Sequence, residues 1–215
     1  MTTEYHKIET PFERDMEGTK KLIEGKFRNP AVEALKDSTW IWTEKIDGTN
    51  VRVIWDGHKV SFRGRTDAAQ MPPFLLDTLN EYFGGETNEE IFEQMFGEKE
   101  VVLYGEGYGN KIQKCGSQYL PNSVSFILFD VKVGDKFLDR SSVPNIAAGF
   151  NVESAPISLV GTIDDAINYV KKQPKSLVAV DKNMVIEGVV GTPQYPFLDC
   201  KGNRIITKVK VCDFV

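Results

Sequence analysis

The 215-residue sequence lacks several features, and each absence excludes a class of protein. No apolar run approaches the roughly 18 residues that a membrane-spanning helix needs, and the first residues form no basic and apolar leader. The cysteines form neither a CxxC pair nor a Cys/His cluster, which predicts reduced thiols and no zinc site at Cys115, Cys200 and Cys212. We therefore expect an intracellular, cytoplasmic protein with no membrane partner.

The sequence also lacks internal repeats, low-complexity tracts and any clear linker. Hydrophobic residues make up 41% of the chain and charged residues 27%, as in ordinary globular proteins. A chain of this length can bury a substantial core. We therefore predict a single domain over residues 1–215, with an N-terminal segment 1–39 and a core over 40–215.

Short alternating segments joined by tight turns predict an antiparallel sheet. Apolar spacing predicts two helices between Pro72 and Phe96, separated near Gly84-Gly85, and another at Ile163 to Lys172. We expect an α+β fold of antiparallel sheets with flanking helices. The first three core strands are predicted at Trp40 to Lys45, Asn50 to Trp55 and Lys59 to Arg63.

The net charge of -5 argues mildly against indiscriminate binding to nucleic acid. The basic residues are nevertheless clustered along the chain. Such clusters would line a groove for phosphates if they converge in space, and otherwise each is a solvated face. The clusters are Lys20, Lys21, Lys26 and Arg28; Arg63 and Arg65; Lys111 and Lys114; and Lys201, Arg204, Lys208 and Lys210.

The stretch Thr43 to Val53 places Lys45 at the end of one strand, directly before the tight turn Asp47-Gly48. Rigid backbone on both sides would hold the lysine in place. An ammonium that is partly desolvated or set among other cations loses its proton more readily, which frees a nucleophilic amine. The short pattern alone favours an exposed lysine beside a hairpin, so the decision depends on the other segments.

Several later segments carry a charged or aromatic residue on or just beyond a strand. Together they supply phosphate-binding cations, metal-binding carboxylates and an aromatic plane. Lys208 and Lys210 fall on one face of a strand, because residues two apart point to the same side. The segments are Arg63 and Arg65 after Phe62, Glu106 within Tyr-Gly-Glu-Gly, Phe129-Asp130, Glu187-Gly188, and Lys208-Val209-Lys210.

The segment Lys45-Ile-Asp47-Gly48 resembles the first motif of the covalent nucleotidyltransferases, the ATP-dependent DNA and RNA ligases and capping enzymes. The later segments are similar to the later motifs of that superfamily, in the same order. The flanking sequence is closer still to phage-type RNA ligases, which seal nicked or broken RNA. That likeness extends from about Tyr5 to the C-terminus and implies a nucleotidyltransferase (ATP-grasp-like) ligase catalytic domain.

The resemblance implies roles in nucleotide transfer. Lys45 would attack the α-phosphorus of ATP, release pyrophosphate and carry AMP on its side-chain nitrogen. The Asp47-Gly48 turn would fix the approach of that amine. Lys208 and Lys210 would neutralise the α-phosphate, and their charge would help to keep Lys45 unprotonated.

The resemblance also implies contacts with the nucleotide and with a metal ion. Glu106 would accept hydrogen bonds from the ribose hydroxyls. Phe129 would stack on adenine, with Phe126 on the opposite face of the same strand. Asp130 and Glu187 would position Mg²⁺ or Mn²⁺, directly or through water.

Three more residues would contact phosphate or adenylate by the same resemblance. Arg65 would bind phosphate on the RNA end with the bidentate geometry that arginine offers. Asn50 and Arg52 are weaker candidates for contact with the adenylate. The implied function is RNA repair by a monomeric ATP-dependent RNA ligase, in the host cytoplasm if a phage encodes it. Its RNA substrate would carry 5′-phosphate and 3′-hydroxyl ends.

Two departures from the family pattern keep alternatives open. Thr192 stands where Glu-Gly-x-Val-x-Lys would place a lysine, so either Lys201 or Arg204 substitutes for it or one step is altered. The sequence also ends five residues after Lys210, which leaves no room for a C-terminal OB or helical domain. The alternatives are a DNA ligase, another adenylyltransferase, or a catalytically silent protein that binds RNA ends.

Overall fold

The computed structural model describes residues 4–215. The chain divides into two compact units. Unit 1 comprises Asp47–Ala155 together with the described residues 4–6, and unit 2 comprises Lys7–Ile46 and Pro156–Val215. Two compact units thus lie within the span 1–215, and its description as a single domain stays a prediction.

The secondary structure is a mixture of short helices and mostly antiparallel strands. The strands are β1 (Phe12–Arg14), β2 (Leu22–Phe27), β3 (Trp40–Lys45), β4 (Thr49–Trp55), β5 (Val60–Arg63), β6 (Val101–Gly109), β7 (Val124–Val133), β8 (Lys136–Phe137), β9 (Glu153–Ser154), β10 (Ile157–Gly161), β11 (Gly188–Pro193) and β12 (Thr207–Lys210). The helices are α1 (Pro30–Ala34), α2 (Pro73–Phe83), α3 (Glu86–Phe96), α4 (Gly116–Tyr119), α5 (Val143–Gly149) and α6 (Ile163–Lys171), with short 3-10 turns at Arg140–Ser142 and Val211–Asp213.

Unit 1 is built on one sheet with strand order β5-β4-β6-β7-β8, and β9 pairs with β7 in parallel. Alternate residues of β4 (Val51, Val53 and Trp55) are buried against the helices, as the period of two requires. The predicted pair of helices is α2 and α3. Their break lies at the predicted glycines, and α3 ends at Gly97, whose φ of 62° favours glycine.

Unit 2 is built on a four-stranded sheet with order β10-β3-β11-β12, beside a small β1-β2 hairpin. The predicted strand at Trp40 to Lys45 is β3, whose Trp40 and Trp42 are fully buried. The predicted helix at Ile163 is α6, and Thr162 and Asp165 form a capping box at its start. Ile163, Ala166, Ile167 and Val170 of α6 are buried in the same core as the two tryptophans.

Among residues 4–215 the longest helices are α2 and α3, with 11 residues each. No helix in that part of the chain could span a membrane. Cys115, Cys200 and Cys212 form no disulfide among the described residues.

Candidate active site

Lys45 is the last residue of β3, in unit 2, and its ammonium contacts a carboxylate. The Nζ atom of Lys45 lies 2.5 Å from Oε2 of Glu187, and Nζ of Lys210 lies 2.6 Å from Oε1 of the same residue. Gly188, the first residue of β11, pairs with Lys45 on one side and with Lys210 on the other. Glu187 therefore bridges two ammonium groups that are held on β3 and β12, the strands on either side of β11.

Gly188 sets the close spacing of these strands. A Cβ atom at this position would lie 2.2 Å from the carbonyl oxygen of Val209 and 2.8 Å from the Cα of Lys210. Any side chain would therefore push β12 away from β11, and Lys210 would move with it. The glycine beside Glu187 is required by packing.

Lys208 lies on the same face as Lys210, as the alternation predicts. It pairs with Val190, which in turn pairs with Thr43, two residues before Lys45. Burial lowers the pKa of Lys208, and the positive charges of Lys210 and Lys45 lower it further. One face of the sheet thus carries three lysines and one glutamate, an excess of positive charge that suits a phosphate.

Glu187 and Lys210 shift each other's protonation. Burial is the largest influence on Glu187 and raises its pKa, but the charges and hydrogen bonds of Lys45 and Lys210 outweigh it, so the pKa is lowered. Burial likewise lowers the pKa of Lys210, but the hydrogen bond and charge of Glu187 reverse the effect and the pKa is raised. Both shifts favour the ionised pair.

Glu44 precedes the lysine on β3 and points to the opposite face, where it is 2% exposed. Its carboxylate accepts hydrogen bonds from the hydroxyl of Ser176 at 2.5 Å and from the backbone N–H of Leu177 at 2.8 Å. Burial raises the pKa of Glu44, although these two hydrogen bonds oppose the rise. Glu44 thereby ties the irregular segment before Glu187 to the strand that carries Lys45.

Asp47 and Gly48 belong to unit 1, where the loop after β6 holds their turn. The backbone N–H of Asp47 donates to the Tyr119 hydroxyl at 3.2 Å, and the Cys115 thiol donates to Oδ2 of Asp47 at 3.0 Å. The Gln113 side chain donates to the carbonyl oxygen of Gly48 at 3.0 Å. The turn is therefore fixed by three side chains far along the sequence.

One face of the unit 1 sheet carries most of the other predicted residues. Asn50 pairs with Glu106 in adjacent strands, and residues directly opposite each other share a face. Next to them Arg52 pairs with Tyr104, which pairs with Asp130. The Oδ1 atom of Asn50 is buried and has no hydrogen-bond partner among the described residues. A buried acceptor of this kind needs a donor, either from ordered water or from a bound molecule.

Phe129 is the extra residue of a β-bulge. Tyr104 of β6 pairs with Asp130 and Gly105 pairs with Leu128, so Phe129 has no opposite partner. Phe126 is fully buried in the core of unit 1, whereas Phe129 is half-buried and meets the Tyr5 ring edge-on at 5.3 Å. The bulge therefore leaves Phe129 outside the core.

Arg65 and Arg52 have different surroundings. Arg65 is exposed on the bend after β5. Arg52 is fully buried, and its guanidinium donates to the Gly64 carbonyl oxygen at 2.8 Å and to Asp67 Oδ1 at 2.7 Å. Arg52 thus holds the bend that carries Arg65, and its direct contact with adenylate or phosphate stays a prediction.

The sequence of this chain matches a known family over most of its length. Residues 38–210 match the RNA ligase family. The chain belongs to the RNA ligase family. Its predicted α+β fold of antiparallel sheets is confirmed by this match and by the structure. No curated protein matches the sequence of this chain significantly.

Solved RNA ligases from Naegleria gruberi share the fold. A lysine-to-alanine mutant without ligand has a TM-score of 0.62 at 19% identity and covers 84% of this chain and 52% of its own. A glutamate-to-alanine mutant with ATP and Mn has a TM-score of 0.63 at 17% identity and covers 94% of this chain and 55% of its own. An arginine-to-alanine mutant with ATP and Mn has a TM-score of 0.62 at 18% identity and covers 98% of this chain and 60% of its own. This chain thus spans about half to three fifths of these relatives.

Within each unit, the structure brings together a distinct subset of the predicted residues. Unit 2 gathers Lys45, Glu187, Lys208 and Lys210, and unit 1 gathers Asn50, Glu106, Phe129 and Asp130 on one side of its sheet. Arg65 stands apart on its bend.

Sequence reasoning missed Tyr5. Its hydroxyl donates to Oδ2 of Asp130 at 2.7 Å, and its ring also lies 4.9 Å from the ring of Tyr104. The tyrosine is 9% exposed, so it covers the pair Phe129 and Asp130 within unit 1. Near the start of the chain and among polar neighbours, it carried no periodic signal that could have identified it.

Proposed function

We propose that this chain is an ATP-dependent RNA ligase that uses Lys45 as its nucleophile. The observation that carries the proposal is the position of Lys45, at a strand end beside Glu187 and Lys210, in a member of the RNA ligase family. Relatives of the same fold have been solved with ATP and Mn. An amine among cations at such a site is suited to attack on a phosphorus atom.

In the first step Lys45 loses a proton and its Nζ attacks the α-phosphorus of ATP. Oε2 of Glu187 lies 2.5 Å from that nitrogen and takes the proton. A bond forms between Nζ and phosphorus as the bond to pyrophosphate breaks. Lys208 and Lys210 neutralise the charge that builds on the phosphate oxygens.

The residues of unit 1 fit the nucleoside part of ATP. Glu106 accepts from the ribose hydroxyls, and Phe129 offers a ring face for adenine. The buried and unpartnered Oδ1 of Asn50, on the same face as Glu106, accepts a hydrogen bond from the nucleotide. This unpartnered acceptor supports the assignment of Asn50 to the nucleotide.

Asp130, in unit 1, and Glu187, in unit 2, each offer carboxylate oxygens of the kind that Mg²⁺ or Mn²⁺ prefers. Residues 4–215 contain no group of three or more His, Cys, Asp or Glu side chains that could form a complete metal cage. Mg²⁺ needs no such cage, because it keeps several waters and binds through one or two carboxylates and phosphates. When bound, the ion supplies neutralisation of charge on the phosphate oxygens.

The later steps act on RNA. The 5′-phosphate of one RNA end attacks the phosphorus of the Lys45 adenylate, and the lysine amine leaves. The 3′-hydroxyl of the other end then attacks that 5′-phosphate and AMP leaves, which forms the phosphodiester. Arg65, exposed on its bend, binds phosphate of the RNA end. We further propose that the enzyme is a cytoplasmic monomer.

The test is incubation with α-labelled ATP and Mg²⁺, followed by denaturing electrophoresis. We expect a covalent protein-AMP adduct in the wild type and in Lys59→Ala, an exposed lysine of unit 1, but none in Lys45→Ala. Nicked duplexes with RNA or DNA on the 3′-hydroxyl side then separate an RNA ligase from a DNA ligase. A wild type that forms no adduct with either Mg²⁺ or Mn²⁺ contradicts the proposal.

A second candidate is a silent RNA-end-binding protein, and Thr192 is the observation that favours it. Thr192 lies on β11, on the same face as Gly188 and Val190, where the family pattern has a lysine. This candidate predicts RNA binding without an adduct, unchanged in Lys45→Ala. If the adduct forms but sealing is slow, Thr192→Lys should accelerate sealing.

A further inference from the structure

The connection between β11 and β12 exposes large apolar side chains. Within this connection, residues 194–204, which we call the β11–β12 loop, Tyr195 is 68% exposed, Phe197 45% and Leu198 66%. Single exposed apolar residues are common, but neighbouring ones form a patch, and patches mark interaction sites. This patch has no part in the reaction proposed above.

The β11–β12 loop is held by its own hydrogen bonds. The Asp199 N–H donates to the Asn203 carbonyl at 2.8 Å, and the Gly202 N–H donates to the Asp199 carbonyl at 2.9 Å. The Asp199 carboxylate also accepts from the backbone N–H groups of Lys201 and Asn203, each at 2.8 Å. The backbone of Phe197 and Leu198 is held next to this turn, since the Ile205 N–H donates to the Phe197 carbonyl at 3.3 Å and Leu198 pairs with Arg204, and such order lowers the entropy cost of binding a partner.

The charges around the patch favour an anionic partner. Lys201 and Arg204 belong to the same loop, and its acidic residue, Asp199, is occupied by the turn. Unit 2 holds 16 of the 26 Lys and Arg residues against 14 of the 31 Asp and Glu residues, whereas unit 1 holds 10 against 17. The aromatic patch therefore lies on the basic unit of an acidic protein. Aromatic rings combined with basic residues are the usual surface for unpaired nucleic acid.

The loop begins at a measurable distance from the nucleophile. Gly188 pairs with Lys45, and β11 continues for five more residues to Pro193, where the loop follows. At about 3.4 Å per residue this is about 17 Å, the length of about five stacked nucleotides at 3.4 Å each. An RNA strand whose reacting end lies near Lys45 would reach the β11–β12 loop only if it is at least about five nucleotides long.

We propose that the β11–β12 loop binds an unpaired RNA strand, whose bases stack on Tyr195 and Phe197 while Lys201 and Arg204 contact its phosphates. The proposal rests on the proposed RNA ligase function, because it states where the RNA of that reaction runs. It assigns to the exposed patch a role in RNA affinity and none in adenylation.

The experiment compares RNA binding by full-length variants. Fluorescence anisotropy, without ATP and at low salt, is measured with 5′-phosphorylated single strands of 4 and 12 nucleotides. We expect Tyr195→Ala/Phe197→Ala to weaken binding of the longer strand by about tenfold or more and to leave the shorter strand unaffected. Leu177→Ala/Val180→Ala is the matched control, since these side chains are 58% and 57% exposed in unit 2, and it should change neither affinity.

A second variant separates stacking from simple apolar docking. Tyr195→Leu/Phe197→Leu keeps apolar surface but removes the flat rings, so it should weaken the longer strand as much as the alanine pair does. Full affinity in the leucine pair, or unchanged affinity in the alanine pair, overturns the proposal. So does light scattering that finds wild-type dimers that the alanine pair does not form, since the patch would then bind a second copy.

The adduct assay keeps this proposal separate from the proposed function. The alanine and leucine pairs at Tyr195 and Phe197 should form the AMP adduct at the wild-type rate, which also shows that they are folded. If the alanine pair does not form the adduct at the wild-type rate, Lys201→Gln replaces it. In Lys201→Gln we expect the slope of log RNA affinity against log salt concentration to fall by about one. An unchanged slope counts against the proposal. A wild type without adduct removes the ligase assignment, whatever the RNA binding shows.

Discussion

The charge balance around Lys45 depends on a single carboxylate. Glu187 contacts Lys45 and Lys210, and its side chain is only 18% exposed. Without it, the two ammonium groups would face each other across Gly188 with no counter-charge. Glu187 is therefore needed for stability in the free protein as well as for proton transfer in the proposed reaction.

We predict that Glu187→Gln lowers the free energy of unfolding at pH 7 by about 1.5–3 kcal/mol and slows adduct formation by on the order of 100-fold. The folded pKa of Glu187 lies below its usual value of 4.5, so its stabilisation is present above pH 4.5 and is lost as the pH falls through the folded pKa. Urea unfolding at several pH values measures this, with Glu17→Gln as the exposed control. If the unfolding free energies of the wild type and Glu187→Gln still differ below the folded pKa of Glu187, the ionised carboxylate is not the source of the stabilisation.

We predict that Tyr5→Phe slows adduct formation most at low Mg²⁺ concentration. The change removes the hydroxyl that donates to Asp130 at 2.7 Å and leaves the ring against Phe129. Asp130 then loses the group that orients it, at a stability cost of about 1–2 kcal/mol. The check is a Mg²⁺ titration of adduct formation. Tyr82→Phe, which loses a hydroxyl contact with Ser125 in the same unit, should leave the titration unchanged.

At the scale of single residues, the sequence predicted the positions of site side chains wherever the alternation of a strand or the turn after it constrained them. Alternation along β12 placed Lys208 and Lys210 on one face, and the turn after β3 singled out Lys45. Tyr5 and Glu44 could not be found this way, because their partners lie 125 and 132 residues away in the chain. Their contacts come from tertiary packing, which no local period encodes.

At the scale of elements, periodic segments were predicted well and irregular ones were not. The strand β3 and the helices α2, α3 and α6 follow strong apolar patterns and lie where they were expected. The bulge in β7 could not be foreseen, because it depends on how Tyr104 and Gly105 of β6 pair with that strand. The support that Arg52 gives to the bend at Gly64 was hidden for the same reason.

We predict that Arg52→Lys reduces RNA sealing by about tenfold while adduct formation stays within about twofold. The lysine ammonium lacks the planar fork with which the guanidinium reaches both the Gly64 carbonyl and Asp67, so the bend that carries Arg65 loosens. Sealing of adenylated RNA measures the loss of ligation, and limited proteolysis measures the loosening of the bend. Arg63→Lys is the control, because Arg63 is exposed and its guanidinium donates to the carbonyl of the neighbouring Phe62. Equal losses in both reactions would contradict a supporting role.

At the scale of the whole molecule, the net charge of -5 conceals an uneven distribution. The acidic excess belongs to unit 1, which contains the acidic helix α3, while basic residues outnumber acidic ones in unit 2. The sequence showed the basic clusters but could not assign them to units. Such a distribution gives the basic part a local attraction for polyanions despite a negative total.

We predict that RNA affinity falls steeply with salt and that the slope depends on unit 2. Lys20→Gln/Lys21→Gln should reduce the slope of log affinity against log salt by about one to two, because each lost phosphate contact accounts for about 0.7–0.9. Lys99→Gln/Lys136→Gln, which removes two exposed lysines of unit 1, should leave the slope unchanged. Equal effects of the two pairs would show that the charge partition has no role in binding.

The bulge at Phe129 also means that β7 contains one residue more than its ladder with β6 needs. Removing Phe129 outright would place Asp130 directly after Leu128, so that Leu128, Val131 and Val133 keep their core positions and Asp130 keeps its own face. We predict that this single-codon deletion is tolerated by the fold and weakens ATP binding by about tenfold or more, because the stacking ring is lost. Circular dichroism and the ATP concentration dependence of adduct formation would measure the two outcomes, and an unfolded deletion variant would show that the ladder needs the extra residue.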